Sequence, residues 1–224
     1  MITRAVEFTA ALTGIILFRK FRDTHARYFI YFLVYLSLGD LINTYSYYTD
    51  KDQIFGFLHG TRFQENYWWS TLFWKVGAIV FFSFYYFRIL NNKTFKTITK
   101  YTGFTFFGFS LVYILCHWDE YFVSFFTSIS IFGACIIFMC SVFYFIEILL
   151  SDKILTFYKS LNFYISSAIF IWWLIITPIV FYGVYGEHKD LAYIRLKRII
   201  YLFANVVMYS TFTFALLWCR PENE

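Results

Sequence analysis

The chain has 224 residues, of which 60% are hydrophobic, 26% aromatic and only 15% charged, and its mean hydropathy is +0.58. A water-soluble domain has about a quarter of its residues charged and cannot hide this much apolar side chain. The formal charge of +5 does not call for a nucleic acid, because basic loops beside a bilayer are an ordinary topology signal and suit an anionic inner leaflet.

A membrane-crossing helix needs about 20 predominantly apolar residues. Such runs follow one another here with short charged loops between them. They predict an all-α, polytopic transmembrane bundle of seven helices in a single domain, 1–224, with spans at 3–18, 28–48, 67–90, 101–118, 121–150, 161–185 and 192–218. The first run is short and carries Arg4 and Glu7. It continues straight into "RKFRD" and lacks the small-residue cleavage site of a secretory signal, so it is expected to stay as a helix. The longest loop is 49–66, where Phe55, Phe57 and Leu58 suit an interfacial turn, and no segment is long enough for a soluble domain.

Lys and Arg concentrate on the segments 19–27, 88–100 and 153–159. Short basic loops favour the cytoplasm, which sets the N-terminus outside and the C-terminus inside, in an inner membrane. Any cytoplasmic output would then pass through a separate signalling protein docked on these loops.

The second run, "FLVYLSLGDLINTYSYY", has an aspartate at its middle. Asp40 lies twelve residues past Tyr28, about 18 Å in from the inner end, and Lys75 on the next antiparallel run lies at a matching depth. Intramembrane charges face the bundle interior or a wet cavity, so the two are expected to pair. At helical spacing Ser37, Asn43, Thr44 and Tyr47 share the Asp40 face, while Trp68, Thr71 and Ala78 share the Lys75 face. Arg198, Tyr201 and Asn205 form a polar stripe on the last run. With Glu7 they outline an outward-facing pocket: Glu7, Asp40, Asn43, Lys75, Arg198, Tyr201 and Asn205. A buried ion pair that only sets helix registry is the plainer account of Asp40. Glu147, near the inner end of its run, is within reach of Arg88 and reads as structural. Pro178 in "IWWLIITPIVFYGVY" should kink its helix and offers a gate beside the pocket.

His59, His117 and His188 fall on the three outer loops and could in principle hold a zinc for a membrane hydrolase. No two of them have ligand spacing, and solvated loop histidines are the simpler account. Cys116, Cys135, Cys140 and Cys219 sit in or at the ends of helices and read as small apolar residues. No cofactor is expected.

The basic "FRKFRD" after the first run, the acid in "LGDLIN" and the "FIWWLIITPIVFYGVY" run together resemble a group of uncharacterised seven-helix inner-membrane proteins of Bacteroidota. The resemblance implies the seven-helix fold and carries no activity with it. Two function classes follow from the residues. One is a receptor or sensor with an outer pocket for a small-molecule or amphipathic ligand. The other is a small proton- or ion-coupled carrier using Asp40 and Lys75. The zinc hydrolase is the outsider, and the balance leans away from an enzyme. No mid-helix lysine suits a retinal Schiff base in the last run, since Lys197 lies near its outer end.

Overall fold

The computed structural model describes residues 2–185 and 191–221, with the backbone alone at 153 and 183–185. Among these residues there is no strand, and the longer helices are α1 (Ile2–Ile16), α2 (Ala26–Asn43), α3 (Tyr67–Ile89), α4 (Lys93–Cys116), α5 (Thr127–Leu149), α6 (Leu161–Tyr185) and α7 (Leu191–Trp218). Five of them, α3 to α7, are long and apolar enough to cross a membrane. The chain is accordingly a multi-pass helical membrane protein. The first two expected spans come out shorter. Helix α1 has 15 residues, about 22 Å at the usual rise. Helix α2 has 18, includes Arg27 and Asp40, and continues past Asn43 only as a tighter 3₁₀ turn, Thr44–Tyr48.

Two other boundaries differ from the hydropathy reading. Helix α4 begins at Lys93 rather than 101, because the Asn92 side chain caps it by accepting from the Thr94 and Phe95 N–H groups. Its first two turns expose Lys93 and Lys100 and leave Lys96 half-buried, so a polar helix precedes the apolar part. Helix α5 begins at Thr127 rather than 121, after a separate turn at Glu120–Phe122.

Around the bundle α2 packs on α1, α1 on α7, α7 on α6, α6 on α5, and α5 on α3, which returns to α2; α4 lies outside against α3 and α5. Large apolar side chains remain exposed on the outer faces, among them Phe104, Leu111, Val112 and Leu115 of α4 and Leu196, Ile199, Phe203 and Leu217 of α7. Soluble monomers rarely expose contiguous apolar surface on this scale; lipid tails account for it.

The bundle interior is aromatic. The Phe29 ring meets Phe212 edge-on at 4.8 Å and Tyr85 at 6.2 Å, joining α2, α7 and α3. Along the α2–α3 seam the rings of Trp69, Phe73, Tyr35, Phe32, Phe81 and Tyr85 stack one on the next. Small residues permit this closeness, as is usual between membrane helices. A side chain on Gly39 would run into the Phe73 ring, and one on Gly14 would come to 3.1 Å from Ile30.

The end of the bundle that bears Ile2, the 49–66 loop and the 117–126 loop is here termed the upper end. Several polar groups at the lower end are hydrogen-bonded. Tyr85 donates to Asn162 Oδ1 at 2.6 Å, and the Tyr86 and Ser141 hydroxyls share a bond of 2.9 Å. Glu147 accepts from the backbone N–H groups of Asn91 and Asn92 at 2.7 Å each. It does not pair with Arg88, whose guanidinium lies over Phe84 at 5.2 Å and Tyr28 at 5.9 Å.

Candidate functional site

Asp40 is paired, but with Arg4. The Arg4 Nε donates to Asp40 Oδ2 at 3.0 Å, joining α1 to α2, and the guanidinium also lies over the Tyr47 ring at 5.9 Å. The pair is reachable from the upper end, with 38% of the Arg4 and 22% of the Asp40 side chain exposed. Glu7 stands one turn below Arg4 on α1, 3% exposed. It feels the charges of both Arg4 and Asp40, and its Oε1 has no hydrogen-bond partner. Of the two carboxylates, Asp40 holds the bond to the guanidinium and Glu7 only feels its charge.

Lys75 does not meet Asp40. Its ammonium donates to the Phe126 carbonyl at 3.5 Å and lies over the Phe125 ring at 4.7 Å, beyond the upper end of α4. Its charged neighbour is Lys197, and among the described residues no carboxylate pairs with it. The reason lies in the backbone. Residues Thr71–Gly77 form a π-helical segment inside α3, in which hydrogen bonds run to the fifth residue instead of the fourth. A face assigned at 3.6 residues per turn goes out of phase there, and Lys75, between Phe73 and Gly77 that flank the Tyr35 hydroxyl, lies below Asp40 and turns toward the start of α5. The insert is pinned from α2, since Tyr35 donates to the Phe73 carbonyl at 3.1 Å.

The remaining expected pocket residues fall elsewhere. Asn43 fastens the top of α2 to α3: its carbonyl accepts from Asn66 Nδ2 at 3.3 Å and its Oδ1 from the Ser70 hydroxyl at 3.2 Å. Asn205 accepts from Trp172 Nε1 at 2.7 Å, and Tyr201 stands edge-on to the Trp172 ring at 6.4 Å. Both therefore belong to the α6–α7 seam. Arg198 is exposed on α7. Helix α6 continues through Pro178. Just before it the Thr177 hydroxyl bonds the Trp173 carbonyl at 2.6 Å, and just after it the Ile179 carbonyl accepts from Tyr193 at 2.9 Å. Pro178 itself is exposed, and the bond to α7 beside it is made by the Ile179 carbonyl.

Of the histidines, His59 is exposed in the long loop. His117 stacks on Tyr113 at 4.3 Å and turns Nδ1 toward the Tyr113 carbonyl at 3.0 Å. His188 lies outside the described residues. Among the described residues no three His, Cys, Asp or Glu side chains group as metal ligands.

A tied polar cap covers the upper ends of α2 and α3. Trp68 Nε1 donates to the Tyr45 hydroxyl at 2.9 Å, and Tyr45 in turn donates to the carbonyls of Phe63 and Glu65 at 2.9 and 3.0 Å. Tyr121 donates to the Trp68 carbonyl at 2.8 Å. Burial raises the pKa of both phenols above the usual tyrosine value, with the Trp68 bond partly opposing this at Tyr45. On the rim Arg62 and Asp119 form an ion pair of 3.2 Å.

Sequence reasoning named Glu7 and Asp40 but not Arg4, which bonds Asp40, nor Tyr209, buried on α7 within electrostatic reach of both acids. The signal for Arg4 was present: it precedes Glu7 by three residues, on the same helical face. Tyr209 carried no such signal, since one tyrosine among 20 is unremarkable until its burial is known. Comparison with known proteins places the chain beside none of them, because no family model, curated protein or solved structure matches it.

Proposed function

We propose that the chain is an inner-membrane protein crossing seven times, with its N-terminus outside and its C-terminus in the cytoplasm, that works as a receptor- or sensor-like module. The sensing face is the upper end of α1 and α2 around Arg4 and Asp40. Its ligand is a small polar or amphipathic molecule with a charged group that competes for one partner of the pair. The output passes to a separate cytoplasmic protein on the basic loops that contain Arg19, Lys20, Arg22 and Arg27, and Lys93, Lys96 and Lys100. The seven-helix pattern shared with the Bacteroidota group supports the same topology.

The observation that carries this reading is the half-exposed Arg4–Asp40 pair. It is accessible to a solute, and it is the ionic tie between α1 and α2. A solute that takes either partner frees the top of α1. Movement of α1 has a route to the opposite end, because Lys20, just beyond α1, reaches the Leu216 and Leu217 carbonyls of the last turn of α7 at 3.5 Å each. A ligand shifts such an equilibrium only by its differential affinity for the two states, and a contested ion pair supplies that difference.

The carrier reading draws on Glu7, a buried acid beside the pair, since Asp40 and Lys75 are separate. A cavity of about 70 Å³ between α6 and α7, lined by Ile171, Ile175 and Met208 among others, lies outside the Arg4 cluster.

The test is a thermal-shift screen of small charged and amphipathic solutes on the protein in nanodiscs. The expected result is a solute that stabilises the wild type and loses its effect on Asp40→Asn and Arg4→Gln. Uptake of that solute into proteoliposomes against its gradient would decide for the carrier instead.

A further inference from the structure

Seven buried side-chain oxygens among the described residues lack hydrogen bonds, and three of them, from three helices, lie beneath the Arg4–Asp40 pair. Glu7 of α1 is 3% exposed, Ser37 of α2 4% and Tyr209 of α7 1%. Glu7 Oε1, the Ser37 hydroxyl and the Tyr209 hydroxyl each have no hydrogen bond. Helix register sets their common level. The antiparallel register that sets Arg4 opposite Asp40 and Gly14 against Ile30 brings Glu7 level with Ser37. Helix α1 packs along α7, and Tyr209 lies within electrostatic reach of Glu7 and Asp40. Helical side chains lean toward the helix N-terminus, which carries the Tyr209 hydroxyl up toward Glu7.

Folded proteins seldom leave buried polar groups unsatisfied, and each one asks for a ligand or another explanation. The chemistry of these three is narrow. All are oxygens, which suit hard cations rather than soft or imidazole-seeking transition metals. Charge sets the valence. Arg4 offsets Asp40, so when Glu7 is ionised one negative charge is left over, which one monovalent cation would neutralise and a divalent ion would overshoot.

We infer that Glu7, Ser37 and Tyr209 form an internal site for a small monovalent cation, sodium, tying α1, α2 and α7 together under the ion pair. This deepens the sensing reading by naming what the floor of that site binds. It does not depend on a solute being sensed, and its test needs no solute.

The protein in phosphatidylcholine nanodiscs is unfolded thermally in choline chloride with sodium chloride exchanged in at constant ionic strength. An ion bound only by the folded state raises the unfolding midpoint as binding requires. The midpoint should climb with sodium and level off, with potassium less effective. Glu7→Gln should abolish the response, and Ser37→Ala and Tyr209→Phe should each weaken the apparent sodium affinity several-fold. A wild-type midpoint that ignores sodium overturns the inference, as does a sodium response that survives in Glu7→Gln. An infrared band of protonated Glu7, absent in Glu7→Gln and unmoved by sodium, overturns it in favour of a bound proton. If Glu7→Gln does not fold, the other two variants decide, and unchanged sodium affinity in both overturns the site.

Discussion

Glu7 and Glu147 are both acids on apolar helices, at opposite ends of the bundle, and their surroundings differ. Glu147 has both oxygens engaged, each accepting a backbone N–H at 2.7 Å at the turn into α4. Its negative charge also faces the positive end of that helix, where acids are stabilising. Glu7 is more deeply buried and keeps Oε1 without a partner. The first acid completes the fold. The second is under-used by the fold, and such a group is where binding is to be sought. The contrast separates a carboxylate engaged by the fold from one left without a partner, which hydropathy alone does not reveal.

The most drastic way to break this contrast is topological. A reporter fused at Glu224 should be active in the cytoplasm and one inserted at Gly60 should report the outside. Cytoplasmic activity at Gly60 would put Glu7 on the inner side and remove the outward sensing face altogether.

The next largest effect is expected at Glu147. Glu147→Ala deletes two charge-assisted hydrogen bonds and a favourable helix-terminus charge, for a loss of about 2–3 kcal/mol in a reversible unfolding assay. Glu147→Gln retains one acceptor and should lose roughly half of that. A neutral Glu147→Ala would show that the capping contributes nothing and collapse the comparison.

Gly39→Ala tests the α2–α3 seam on which the ion pair is mounted. The added methyl would meet the Phe73 ring, and overpacking of this kind costs about 1–3 kcal/mol. Wild-type stability in this variant would mean that the ring has room to move.

The Arg4–Asp40 pair lies between exposed pairs worth about 0–1 kcal/mol and buried ones whose disruption costs ~3–5 kcal/mol. Each single change, Arg4→Gln or Asp40→Asn, should lose about 1–2 kcal/mol, and the double mutant should lose less than their sum. Asp40→Asn combined with Lys75→Met should be additive, because those two groups do not touch. Additivity in the first cycle and coupling in the second would restore the Asp40–Lys75 pairing expected from depth.

The smallest effect is expected at Glu7 itself. In sodium-free buffer Glu7→Gln should change stability by less than about 1 kcal/mol, because the protein supplies Oε1 with no partner to lose. A loss as large as that of Glu147→Ala would place both acids in the structural class.

Hydropathy and helical spacing determined a good deal from the residues alone. The membrane setting follows from apolar runs such as 161–185, whose side chains only lipid or other helices could cover. The common depth expected for Asp40 and Lys75 did not carry over, because the α2–α3 contacts set Phe73 and Gly77 at the Tyr35 hydroxyl, below Asp40. Which groups face each other was decided by tertiary structure. The π segment at Thr71–Gly77 turns Lys75 toward Phe125 and Phe126, and no local pattern announces such a register change. Arg4 became the partner of Asp40 because Gly14 lets α1 pack closely on Ile30 of α2, a long-range contact. Tyr209 entered the site because α7, the last helix in the chain, packs beside the first. Sequence periodicity reports the environment of one helix at a time, whereas a site shared by α1, α2 and α7 exists only once packing has set their rotation and register.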